Sequence, residues 1–469
     1  MKPMKPRMLL LQAVLVLPLL AFAQNTGESQ KPPQMSLTQQ EQQMVECSND
    51  FAFRLFSEAR GEKSSVLSPL SVTFALGLLN NGAAGLTQQE IVNVLGFGLL
   101  SSSDSNTEAT DGINMFCRKM LTEAPALDKE TSVLLSNAIF LNIDEPRCLL
   151  PEFVDIATKY YDATTQMSNF NDGKTMDAIN QWASDHTNGM IPQIFNEETF
   201  KTDVASYLLN AVYFKGCWTK EFNPDETREE PFGELKEMLP MMHQNGTFGY
   251  AEDGICQMLR MYYGNGAYCM TVMLPNKDKT VDDVVKTLST KRWDNLRRMS
   301  AKEVDVKMPR FDTDTHVNLV DVMKTLGMKR AFDKDLAEIP YYCNIPQYIT
   351  NMFQSARLKL DEKGTEAAAA TVIETSDKAV MPDKVREFHA DRPFVYIISE
   401  QSSGTIFFIG QYTGEVGVLS RPQGIEDATR QSASVTGSPQ AVDLQGRRVK
   451  SGQARKGVYI VEGRKVVVK

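Results

Sequence analysis

Residues 358–373 carry two conflicting conformational instructions, and few folds can satisfy both. Leu358-Lys359-Leu360 alternates apolar and charged residues as a strand does, and Glu362-Lys363-Gly364-Thr365-Glu366-Ala367-Ala368-Ala369-Ala370-Thr371 follows shortly after. An alanine run alone favours helix, because alanine loses no side-chain entropy there. Yet Thr371-Val372-Ile373 comes next, and β-branched side chains favour sheet. The segment is therefore expected to adopt more than one conformation. If it entered a sheet, Glu366 would point to water, while Thr365, Ala367, Ala369 and Thr371 would face the core. These four are small enough to slide between strands over packed helices, and Gly364 supplies a hinge. The other reading of the same residues is an exposed, partly helical alanine-rich loop.

Elsewhere the pattern is α+β. Asp50 to Ala59 places Phe51, Leu55 and Ala59 at helical spacing, and Ser68-Pro69 opens a helix that Asn80-Asn81-Gly82 and Gly85 stop. Asp177 to Thr187 and Val317 to Leu326 read as further helices, and one is expected around Gly112 to Thr122. Ser206 to Phe214 and Tyr268 to Leu274 are short, apolar and rich in Val, Leu, Tyr and Phe, as strands buried on both faces are. Helices and strands do not alternate strictly, which separates this chain from a parallel α/β fold.

Both ends differ from the middle. Lys2, Lys5 and Arg7 precede the apolar run Met8 to Phe22, which ends in Ala21-Phe22-Ala23 before Gln24. That run is about 15 residues long, shorter than the roughly 20 of a membrane span, and residues 1–23 read as a secretory signal peptide. Residues 24–40 are rich in Gln, Ser, Thr and Pro and read as a linker, as does 417–439. Between the linkers lies an ordered domain, 41–416. Residues 440–469 hold three apolar bursts separated by Gly446-Arg447-Arg448 and Gly463-Arg464-Lys465, the pattern of a small β-meander.

Several function classes are disfavoured. A net charge of -9 supplies no concentrated positive field for phosphates, so no nucleic-acid partner is expected. There is no G-x-S-x-G, no H-E-x-x-H and only four histidines to act as bases, so no catalytic residue and no cofactor are assigned. The seven cysteines show no C-x-x-C spacing, so no metal site is assigned and buried free thiols are expected. Asn245-Gly246-Thr247 matches a glycosylation sequon but reads first as a hairpin turn.

Five further stretches, in order along residues 45–416, carry a resemblance. They are Leu67-Ser68-Pro69-Leu70-Ser71, Asn210-Ala211-Val212-Tyr213-Phe214-Lys215-Gly216-Cys217-Trp218, Met273-Leu274-Pro275, Met308-Pro309-Arg310-Phe311 and Asp391-Arg392-Pro393-Phe394. With Glu362 to Thr371 they resemble the serpin family, and the hinge is similar to that of inhibitory members. The resemblance implies three β-sheets, about eight or nine helices and an exposed reactive loop. It implies an irreversible suicide inhibitor of a serine, or cysteine, protease, in which the cleaved loop inserts into the central sheet. The alternative is a non-inhibitory serpin acting as a surface binding protein.

By position, Ser68, Ser71 and Asn210 resemble a polar cluster beneath the main sheet that controls its opening, and Trp218 the aromatic where insertion begins. The family often has a histidine where this chain has Gln354, and glutamine can still donate and accept hydrogen bonds. The resemblance to inhibitory members implies that, counting the hinge Glu362 as one, the residue before the scissile bond is the seventeenth, Lys378, with Ala379 after it. A trypsin-like or lysine-specific target follows. The other reading of Lys378 is a solvated loop charge. Asp377 beside it is unwelcome to many such proteases, and Val380 or Met381 would suit an elastase-like enzyme, although Pro382 hinders cleavage after Met381. Arg118 and Lys119 make no basic stripe, so no glycosaminoglycan site is expected, and the protein is expected to be a monomer. The last 30 or so residues resemble a type IX secretion sorting signal of Bacteroidetes. That implies export to the outer-membrane surface of a Gram-negative bacterium, or release from it.

Overall fold

A computed structural model describes residues 32–100, 106–143, 147–365 and 385–414, with four short strands between 441 and 468. The signal-peptide run, residues 417–439, and Glu366, Ala367, Ala369, Thr371, Lys378 and Ala379 lie outside the described residues. Helix α1 (Gln39–Ala59) starts inside the stretch read as linker. Thr38 initiates it with a reciprocal cap: its hydroxyl accepts from the Glu41 amide and the Glu41 carboxylate accepts from its own. Strand β1 (Ser65–Leu67) leads to α2 (Pro69–Gly82), where Ser68 caps and Pro69 presets the first turn. Then come α3 (Gly85–Leu95), α4 (Asn106–Glu123), β2 (Ser132–Asn142), α5 (Pro151–Tyr161), β3 (Thr164–Ser168), α6 (Gly173–His186) and β4 (Ser206–Cys217). A run of strands follows, β5 (Arg228–Phe232), β6 (Glu237–Glu252), β7 (Cys256–Tyr263) and β8 (Tyr268–Pro275), and two short helices, α7 (Val281–Val285) and α8 (Thr290–Leu296). The last part holds β9 (Ser300–Pro309), β10 (Phe311–Asn318), α9 (Val320–Leu326), β11 (Met352–Asp361), β12 (Gly364–Thr365), β13 (Arg386–His389), β14 (Phe394–Glu400) and β15 (Ile406–Tyr412).

Among the described residues these strands form a six-stranded sheet, β10-β11-β12-β4-β2-β3, and a nine-stranded one, β1-β15-β14-β8-β7-β6-β9-β13 with β5 on β6. Strand β6, 16 residues long, pairs with β9 along one part and β7 along another, so two sheets run together through it. A separate four-stranded sheet is built from β16 (Ala441–Asp443), β17 (Arg448–Val449), β18 (Gly457–Val461) and β19 (Arg464–Val468), all antiparallel.

The six-stranded sheet is covered on both sides, as the apolar character of Ser206 to Phe214 requires. Leu208, Val212 and Phe214 of β4 join the main core, with Leu70, Phe74 and Leu76 of α2. Tyr207, Leu209 and Ala211 face a second core with Ile179, Trp182 and Ala183 of α6. Any strand added beside β4 must therefore carry small side chains at alternate positions.

Two local readings are corrected. Asn245-Gly246-Thr247 is no turn: it runs through the middle of β6, Gly246 opposite Val304. The Lys220 side chain occupies the space beside this glycine: a Cβ would stand 2.6 Å from its mobile Nζ, which donates to the Asn245 carbonyl at 2.7 Å. The helix read from Val317 begins only at Val320, because Val317 and Asn318 complete the ladder of β10 with β11. None of the seven cysteines is in a disulfide, and five are buried.

Candidate functional site

The central sheet is closed at one end and parted at the other. Residues Met352 to Ala356 of β11 pair directly and in parallel with Leu208 to Val212 of β4. Higher up, β11 reverses through Glu362 and Lys363, and β12 comes back between the two strands. Gly364 lies opposite Asp361 and Cys217, Thr365 opposite Leu360 and Gly216, antiparallel on both sides. Gly364 has φ +148, and a Cβ there would stand 2.0 Å from the Gly216 carbonyl oxygen, so only glycine fits the point of entry. Gly364 and Thr365 thus form a two-residue strand seated between β11 and β4.

The turn before that rung is held from several sides. The Trp218 amide donates to the Lys363 carbonyl at 2.7 Å, its indole Nε1 to the Asp361 carbonyl at 3.1 Å, and the Phe222 amide to the Glu362 carbonyl at 2.8 Å. Glu362 points inward, 5% exposed, where Arg310 Nε donates to both carboxylate oxygens at 2.6 and 2.8 Å and the Thr227 hydroxyl donates to Oε1. Burial alone would raise this carboxyl; the bonds from Arg310 and Thr227 and the guanidinium charge outweigh it and hold the group below the usual carboxylate range. Thr365 is fully buried, its hydroxyl 2.8 Å from the Tyr263 hydroxyl, and Tyr263 stacks on Trp218 with centroids 4.4 Å apart.

This clamp is asymmetric. Removing the guanidinium, as in Arg310→Met, leaves a carboxylate whose side chain is 6% exposed, whereas Glu362→Gln leaves an arginine 43% exposed that can turn to water. The expected losses of unfolding free energy are about 3 kcal/mol for Arg310→Met and about 1 kcal/mol for Glu362→Gln. Because the folded carboxyl is depressed, its contribution is complete above the ordinary carboxylate range and is lost as pH falls through the lowered value. Denaturant melts of wild type and Glu362→Gln should differ at neutral pH and converge in acid. Equal losses from both variants would show that the clamp is not built this way.

Beneath the closed end of the sheet, the structure brings Ser68, Ser71 and Gln354 together. Gln354 Nε2 donates to the Ser68 carbonyl and the Ser71 hydroxyl, each at 2.8 Å, and its Oε1 accepts from the Ser68 amide at 3.3 Å. The Ser71 hydroxyl in turn donates to the Ser68 carbonyl at 2.8 Å. Asn210 lies opposite Gln354 in the ladder, but its amide turns the other way and donates to Asn137 Oδ1 at 2.9 Å. Asn210 Oδ1 and Asn137 Nδ2 are buried without a partner among the described residues. Asn137, Arg310, Thr227 and Tyr263 are site residues that sequence reasoning did not single out. For Asn137 a signal existed: Ser136-Asn137 interrupts the apolar run of β2.

The pattern of the family described as "Serpin (serine protease inhibitor)" matches residues 46–414. Neuroserpin of Gallus gallus is 30% identical over 369 residues, 75% of this chain and 86% of its own length. The thermophilic serpin tengpin, in its native state, matches with a TM-score of 0.71 over 81% of this chain and 96% of its own at 23% identity. Thyroxine-binding globulin in complex with thyroxine matches with a TM-score of 0.68 over 79% and 98% at 25% identity. The nine α-helices and mixed sheets of the described residues have the architecture these structures share.

Proposed function

This chain is a serpin, and from that membership and its part-seated hinge we propose that it is an irreversible suicide inhibitor of a serine, or cysteine, protease. Serpins in general are protease inhibitors rather than enzymes, so the catalytic groups belong to the target. The target's nucleophile attacks the carbonyl carbon of Lys378, the peptide bond to Ala379 breaks, and Ala379 leaves as a free amine after taking a proton from the protease's general acid. The upstream loop stays acylated to the protease, as an ester to serine or a thioester to cysteine. It is no longer tied at its far end, and it zips into the sheet behind Thr365.

The observation that carries this reading is β12, already paired with both neighbours in the register an inserted strand needs. Continued residue by residue, that register would bring Thr371 between Asn210 and Gln354, on the face of the sheet that α2 covers. A threonine hydroxyl there could donate to the partnerless Asn210 Oδ1. Ala367 and Ala369 would then share that face, and they are small enough to pass over the core. About ten further ladder bonds at roughly 1 kcal/mol each would rival the whole stability of a domain, about 5–15 kcal/mol, and so suffice to distort an attached protease.

Mixing the mature protein with trypsin is expected to give a complex that survives boiling in detergent. Clean cleavage without a complex, across serine and cysteine proteases of several specificities, would favour a non-inhibitory binding protein instead. The target is taken as trypsin-like or lysine-specific on the strength of Lys378. We also propose export through residues 1–23 and removal of the basic β-rich tail, placing the mature protein outside a Gram-negative cell. Mass spectrometry of the mature form should find Gln24 first and no residues beyond 439; an intact 469-residue chain on the cells would contradict it.

A further inference from the structure

Tyr263 belongs to the other sheet, yet its hydroxyl reaches the first rung of the loop. It ends β7, and its phenol oxygen lies 2.8 Å from Thr365 Oγ1, with both side chains fully buried. The ring is fixed on three sides. Trp218 stacks on it at an interplanar angle of 13°, Phe214 meets it edge-on at 5.0 Å, and a Cβ on Gly216 would stand 2.9 Å from its Cδ1. Backbone bonds lock the two sheets together at this point, Thr219 donating to the Tyr262 carbonyl and Gly264 to the Cys217 carbonyl, each at 2.8 Å. The ring therefore cannot follow Thr365 if Thr365 moves. Burial pushes the phenol well above its ordinary value, so it remains a neutral hydroxyl that can donate or accept.

We propose that Tyr263 is the positioning residue that keeps the first rung of the loop seated in the intact protein. When Thr365 leaves the sheet its own hydroxyl regains water, but the Tyr263 hydroxyl is left buried and unbonded; with phenylalanine at 263 departure carries no such penalty. The seated rung matters because ordering the first residues of a strand is opposed by chain entropy before ladder bonds accumulate. A loop that starts from a formed rung inserts sooner after cleavage, and more of the acyl-enzyme is caught before water hydrolyses it. This consequence rests on the inhibitory reading; the seating itself does not.

The test uses the intact protein and a synthetic peptide with the sequence of residues 365–371, which can enter the sheet only where the protein's own loop is absent. Entry should be about five- to thirtyfold faster in Tyr263→Phe and in Thr365→Val than in wild type. The double variant should be no faster than either single one, because both remove the same bond. Thr365→Ser, which keeps the hydroxyl, should behave as wild type. Thr365→Val alters only the loop side, so it decides the matter even where Tyr263→Phe folds poorly. Against a protease that wild type traps, both single variants should be cleaved at the wild-type rate but trap a smaller fraction. Peptide entry needs no protease, so it reads the role of Tyr263 even in a protein that traps nothing. Wild-type entry rates in Thr365→Val, or additive effects in the double variant, would overturn the proposal.

Discussion

If the protein inhibits as proposed, replacing Thr365 by glutamate is expected to convert it from a trap into a substrate. The native side chain is fully buried between Gly216 and Leu360, with the Tyr263 hydroxyl as its partner. A carboxylate in that place has no cation to meet, since Arg310 is already engaged by Glu362. Burying it unpaired costs several kcal/mol, so the rung is expelled and the cleaved loop has no point from which to zip. Glutamate also adds no site for a basic-specific protease. The complex band on a denaturing gel should fall at least about tenfold, as a penalty above about 1.4 kcal/mol requires, while loop cleavage continues. Cleavage of wild type should raise its thermal midpoint, and cleavage of Thr365→Glu should not. An undiminished complex band would mean that insertion does not bury this face.

The second large effect is expected at Lys378. In the proposed mechanism insertion must run to completion for the bound protease to be carried far enough to be distorted, so the distance from Glu362 to the cut bond is constrained. A cut several residues nearer leaves too short a tether, and one much farther leaves slack that gives the acyl-enzyme time to hydrolyse. Lys378 meets that length and offers the charge an acidic specificity pocket binds. Mass spectrometry of the small fragment released from the complex should find Ala379 at its new amino terminus. Lys378→Ala should slow inhibition of a trypsin-like protease by at least about a hundredfold, because the buried acid of the protease is then left without its partner. Full retention, with a fragment beginning at another residue such as Met381, would move the specificity site there.

Much of the fold was legible before any coordinates. Ser68-Pro69 opens α2 because a serine cap and a proline in the first turn act locally, and Ser206 to Phe214 forms a strand buried on both faces because nothing polar enough to face water stands in it except Asn210. Gly364 and Thr365 were singled out from size and alternation alone, and the structure seats these two between β11 and β4. Local signals failed where a distant segment decides the conformation. Asn245-Gly246 reads as a turn in isolation, but β9 pairs along its whole length and Lys220 fills the space its missing side chain leaves. Val317 and Asn318 were drawn from a helical pattern into β10 by the ladder offered by Gln354 and Phe353.

The sequence by itself therefore determined most helices and strands, that Thr365, Ala367, Ala369 and Thr371 are small and alternate, and which family the chain resembles, because each of these can be read along the chain without knowing its distant contacts. Only the tertiary structure decided what holds the hinge. Glu362 meets Arg310, Thr365 meets Tyr263 at a separation of 102 residues, and Gln354 meets Ser68 at 286. No periodicity or capping rule encodes such pairs. They exist because two sheets and a helix converge where the central sheet parts, and buried polar groups must there find partners in whatever chain the fold brings within reach.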